Sequence, residues 1–92
     1  MEAMKLKVAA ASNPKSVAGS IASNTREDKQ VEIVVMGPQA VNQAMKAIAI
    51  AREYLKGDNV DIVCRPEFMH LELEGEQKSA MKIVIIPDSR AQ

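Results

Sequence analysis

The segment from Gly37 to Arg52, GPQAVNQAMKAIAIAR, constrains the fold more than any other part of the chain. Gly37 suits an N-cap, and Pro38 suits the first helical position, where no amide donor is needed. From there the segment is apolar almost all the way round. Val41, Met45, Ile48 and Leu55 make one stripe at helical spacing; Ala40, Ala44, Ala47, Ala51 and Tyr54 make another, and Ala49 and Ile50 fall outside both. A surface helix of a monomer needs only one apolar face. This one calls for cover on two sides: its own sheet and, in a chain this short, a second copy.

The chain's 92 residues, 47% of them apolar, make one domain over residues 1–92. Tyr54 and Phe68 are the only aromatics, so the core must be built from aliphatic side chains; Phe68 is assigned to the core and Tyr54 to an interface. The single cysteine, Cys64, lies in an apolar run with Val60, Ile62 and Val63 and reads as a buried structural thiol. No signal peptide is visible, and no apolar run approaches the ~20 residues that span a membrane. The expectation is a cytoplasmic protein with no membrane partner.

Lys5–Ala10 reads as a first strand. Asn13 and Pro14 then make an N-cap and first turn, opening a helix to about Glu27 with Val17, Ala18, Ile21 and Ala22 inward. Val31–Met36 is β-branched and suits a central strand covered on both faces. The second helix runs from Pro38 to about Lys56, and a turn comes next at Gly57-Asp58-Asn59. Val60–Cys64 is a third strand; Pro66 predicts a bulge or an edge, and alternation resumes from Phe68. Glu74-Gly75-Glu76 is a hairpin signal, Lys78–Ile86 returns as a fourth strand ended by Pro87, and residues 88–92 read as a frayed tail. The predicted class is α+β: a two-layer β-α-β-α-β-β sandwich with both helices on one face. The mixed four-stranded sheet has strands one to three parallel and strand four antiparallel.

That order, with Asn13-Pro14-Lys15-Ser16-Val17-Ala18-Gly19, GPQAVNQAMKAIAIAR and the hairpin ending in Glu74-Gly75-Glu76, resembles stage V sporulation protein S. The likeness covers nearly the whole chain, and the second segment is its specific part. The resemblance implies an Alba-like fold, a dimer or higher oligomer, and nucleic-acid binding linked to regulation of sporulation in bacteria. Alba proteins use basic residues in the first loop, an Arg after the glycine that opens helix two, and a basic hairpin arm. Here the loop offers only Lys15, the Arg position is Pro38-Gln39, and Glu67, Glu72, Glu74 and Glu76 make the arm acidic. A tight Alba-style grip on duplex DNA is not expected.

Charge points the same way. The chain has 12 Lys+Arg and 12 Asp+Glu, whereas a strong nucleic-acid binder is basic. Residues 1–30 nevertheless carry five cations against three acids, and residues 61–92 carry four against six. If strands one and two are parallel neighbours, both helix N-termini emerge together, with unpaired amides and a partial positive charge. Ser12, Asn13, Lys15 and Ser16 surround the first end and Gln39 the second, with Asn42, Gln43 and Lys46 one turn on. These eight are the candidate nucleic-acid contacts; the plainer alternative makes Asn13 a cap, Lys15 and Ser16 a solvated turn, and Asn42-Gln43 a bonded pair across a dimer interface. His70 and the hairpin glutamates read as solvated strand residues, with Glu72 able to pair with Lys78 or Lys82. No nucleophile–base pair, phosphate loop, dinucleotide motif or metal-ligand spacing is present, so no catalytic residue, metal or cofactor is expected. Two aromatics cannot form a base-stacking platform.

The expected function is a non-enzymatic, Alba-like nucleic-acid-binding regulatory protein, dimeric or tetrameric through helix two, that binds DNA or RNA through phosphate with weak to moderate affinity. The alternative is an adaptor that binds a protein partner through the acidic hairpin and the small-residue first helix.

Overall fold

The computed structural model describes residues 3–88. Six elements adopt the expected order: β1 (Ala3–Val8), α1 (Pro14–Arg26), β2 (Gln30–Val35), α2 (Pro38–Leu55), β3 (Asp61–Leu73) and β4 (Glu76–Asp88), with a 3-10 turn at Lys56–Asp58. The fold is α+β, with one mixed four-stranded sheet and two helices. Strand four reaches Asp88, one residue past Pro87; the rest of the expected tail lies outside the described residues.

The sheet order is β1-β2-β4-β3. β1 and β2 are parallel neighbours, paired from Ala3↔Gln30 to Val8↔Val35. β3 runs in the same direction as both, but β4 lies between it and β2, antiparallel to each. The reason is in β4's sequence. Ile83, Val84 and Ile85 are all buried, so β4 is covered on both faces, as an inner strand must be. β3 alternates and takes the edge. Pro66 sits in that edge strand, where its missing amide is tolerated. There is no bulge: β3 and β4 pair one-to-one from Asp61↔Asp88 to Leu73↔Glu76.

Both helices pack on one face, over a core with no buried polar or charged residue among those described. Ile21 of α1, Leu55 of α2 and Val31, Ile33, Val35 and Ile83 of the sheet are its largest fully buried side chains. On α2 the alanine stripe (Ala40, Ala44, Ala47, Ala51) is buried with Ile48 and Leu55. Small side chains let α1 and the sheet come close. The opposite face of the sheet is sealed differently. Val84 is buried there, apart from the helix-side cluster, beneath Arg65, Glu67 and Lys82, which bond one another. Their aliphatic stems cover apolar surface while the charges stay in water.

Two arginines lock the helix C-termini. Arg26 donates to Asp58 Oδ2 (2.8 Å) and to the Tyr54 carbonyl (2.9 Å), tying α1 to the end of α2. Arg52 donates to both oxygens of Asp61 (2.7 and 2.8 Å), and Asp61 also accepts the Ile62 amide. The Arg52 hydrogen bonds, then the Ile62 amide, hold the Asp61 carboxyl down to about 2. Asp61 therefore takes up a proton more readily unfolded than folded. Its contribution to stability is complete above the ordinary aspartate pKa and is lost as pH falls from about 4 to about 2. Urea midpoints measured across that window should fall less steeply in Asp61→Asn than in the wild type. Equal slopes would show that the pair does not link folding to pH.

Two corrections concern single residues. Phe68, expected in the core, is 85% exposed, and Cys64, expected to be buried, is exposed. Both sit on the helix-facing side of β3, as does buried Ile62 two or more residues before them, but α2 covers only the start of that strand. Beyond Phe68 and Met81 the two strands have no third neighbour. The chain therefore extends into a two-stranded arm, and the molecule measures 45 × 26 × 18 Å. Its tip is the turn Glu74-Gly75, both residues at positive φ (53° and 79°), which matches the type I′ hairpin. Glu72 does not pair with Lys78 or Lys82: Lys78 bonds Glu76, and Lys82 bonds Glu67.

Candidate nucleic-acid interface

β1 and β2 are parallel, so α1 and α2 begin at the same end of the sheet, and the segments expected to converge do so. The loop between β1 and α1 is tightly folded. Ser12 Oγ accepts from the Ala9 amide (2.9 Å), and the Ser12 amide donates to the Ala9 carbonyl (3.1 Å). Asn13 is extended (φ −83°, ψ 116°), and its Oδ1 accepts from the amides of Lys15 (2.8 Å) and Ser16 (3.2 Å). From α2, Gln43 Nε2 donates to the Ser12 carbonyl (2.8 Å), pinning the loop to the second helix.

These bonds divide the eight candidates. Ser12, Asn13 and Gln43 are occupied by the fold itself. The first two free amides of α1 are spent on Asn13, so its N-terminus is not an open anion site. At α2, Gly37 lies at φ 87°, a conformation suited to glycine, and offers no side chain to cap the helix. Asn42 and Gln43 do not act as a pair: Gln43 turns to the loop, while Asn42 is exposed. Gln39, Asn42 and Lys46, spaced three and four apart, share a stripe on α2 and are all exposed. Lys15 and Ser16 are exposed on the first turn of α1.

Lys15 and Lys46 come together. They rim one open groove floored by Pro14, Ala49 and Ile50. On the other side of α1's first turns, Lys5 and Lys7 of β1 border a second depression with Ser16 and Ser20. Lys5 and Lys7 were not among the candidates, although the spacing Lys-x-Lys in a strand places both on one face.

Electrostatics sets this flank apart. Arg26, Lys29, Arg52, Lys56, Arg65, Lys78 and Lys82 each contact a carboxylate. Among the described residues, Lys5, Lys7, Lys15 and Lys46 do not. The neutral chain thus gathers its unneutralised cations around the start of α1. No cluster of three or more His, Cys, Asp or Glu side chains able to hold a metal occurs among the described residues. No helix is long and apolar enough to cross a membrane.

The comparison with protein families spans all six elements, including the segments around Asn13 and Gly37. Residues 4–88 match the family model of stage V sporulation protein S (SpoVS), which is nearly the whole chain. The chain belongs to the stage V sporulation protein S family.

Proposed function

We propose that this chain is a non-enzymatic nucleic-acid-binding protein that acts as a dimer in regulating sporulation. The observation that carries the reading is the set of four lysines without an ion pair, Lys15 with Lys46 and Lys5 with Lys7, lining two depressions on either side of the start of α1 in a chain whose net charge is zero. A lysine paired with a carboxylate has little left for a phosphate; an unpaired, solvated one exchanges counterions for phosphate at low cost. Gln39, Asn42 and Ser16 lie close enough to add neutral contacts to phosphate or sugar. With no aromatic platform, such contacts read backbone rather than sequence.

The dimer reading rests on α2 and β3. Val41 and Phe68 line a shallow apolar depression beside Gly37. Met45, 40% exposed, comes one helical turn after Val41, and Pro66 and Cys64 continue the strip along β3. This is the second side of α2, for which the sequence called for a second copy.

Titration of duplex DNA and of RNA at low salt tests the binding. The log–log salt slope should be about −0.9 per phosphate contact on a duplex and about −0.7 on a single strand. Lys15→Ala with Lys46→Ala should make the slope about two contacts shallower and weaken binding by a similar factor on any sequence. Absence of binding to either nucleic acid at high micromolar protein would overturn the reading.

A further inference from the structure

Most of the described carboxylates contact a cation; Asp28, Glu32, Glu72 and Glu74 do not, and only the last two lie together, at the end of the arm. Between them stands Leu73, 46% exposed. The tip thus presents one apolar side chain flanked by two unneutralised acids. The groove between α1 and α2 is its counterpart: an apolar floor of Pro14, Ala49 and Ile50 under two unneutralised lysines, Lys15 and Lys46. Complementary potentials of this kind steer association and fix register.

The two surfaces of one molecule cannot meet. β1 and β3 are opposite edges of the sheet. The arm is paired along the whole of β3, and its five unaccompanied residues per strand carry the tip up to about 17 Å beyond the body. That reach, with a tip only two strands wide, suits insertion into an open groove on another molecule.

We infer that the hairpin tip of one copy docks in the lysine-rimmed groove of a second copy. Glu72 and Glu74 pair with Lys15 and Lys46, and Leu73 lies on the floor. Two different surfaces meet, so the contact is heterologous; it propagates from copy to copy unless the rotation closes a ring. It is also separate from the Phe68 strip, whose contact would pair like with like. Where the nucleic-acid reading holds, the tip and a phosphate compete for Lys15 and Lys46, so self-association masks the binding flank.

Two charge-reversed proteins test this without nucleic acid: Glu72→Lys with Glu74→Lys, and Lys15→Glu with Lys46→Glu. All four positions are exposed, and circular dichroism confirms each fold. In sedimentation at about 20 mM salt the wild type should at least double its weight-average mass as concentration rises to about 1 mM. It should lose that gain at about 0.5 M salt, where screening is nearly complete. Each variant alone should show no salt-sensitive gain. An equimolar mixture should recover it, because a basic tip then meets an acidic groove. A wild type that does not grow, variants that grow like it, or a mixture that stays small would each overturn the contact. The titrations of the double alanine variant stand or fall separately.

Discussion

Ile33→Ala is expected to lower the unfolding free energy by about 2–5 kcal/mol. Ile33 is fully buried at the middle of β2, in register with Leu6 on one side and Ile83 on the other. Removing its outer carbons loses transfer energy and leaves a cavity that three paired strands cannot collapse to fill. A domain of this size has about 5–10 kcal/mol in total, so the variant should sit near the threshold of folding. Its urea midpoint should drop by about 1 M or more. Val63→Ala is the contrast. Val63 stands half exposed on the outer face of the edge strand, and its truncation should stay within about 0.5 kcal/mol. Equal losses at the two sites would mean that the sheet's helix-facing side is not the core.

Ile33 was assignable from sequence because β2 and the helices obey simple periodicities. Asn13 and Gly37 announce helix starts, Val31–Met36 is apolar except at Glu32, and the alanines of α2 recur at helical spacing; the helix starts and the buried alanine stripe sit where their pattern puts them, and the strand ends one residue early, at Val35. β4's inner position was not anticipated, although the unbroken apolar run Ile83-Val84-Ile85-Ile86, against the alternation of β3, is the signal for it. Phe68 and Cys64 were not readable. Apolar character marks a side chain that gains from cover, and it says nothing about whether the domain supplies that cover. Whether it does depends on how far β3 outruns α2, a length relation between elements remote in sequence.

The site divides along the same line. The convergence of Ser12–Ser16 with Gln43 is a consequence of parallel strands and was foreseeable. Asn13's use as a cap was the plainer alternative its position before Pro14 offered; that Gln43 is consumed by the loop depends on a side-chain hydrogen bond that no spacing encodes. Lys5 and Lys7 gain interest only through a negative fact, the absence of an ion pair even with Glu32 beside Lys5 on β2, which is a property of the folded surface.

On the proposed dimer, Phe68→Asp is expected to give a folded monomer, with sedimentation at about one chain mass, 10.0 kDa, where the wild type gives about two. The ring is 85% exposed in the isolated chain, so its loss removes little intramolecular contact, and the circular dichroism spectrum should not change. A buried aromatic at the centre of an interface is worth about 2–4 kcal/mol on truncation, a factor of about 30 to 1,000 in the dissociation constant. Aspartate adds the cost of dehydrating a charge against Val41 and Met45. Tyr54→Asp distinguishes the other side of α2, where the sequence first placed an interface. Tyr54 is 42% exposed and its carbonyl is bonded by Arg26. If the contact runs through Tyr54, that variant dissociates and Phe68→Asp does not. Should Phe68→Asp dissociate, the lysine flanks of two copies are no longer held together. A duplex long enough to touch both would then show its salt slope cut by about half, the sign that the assembly, rather than the single chain, sets the number of phosphates engaged.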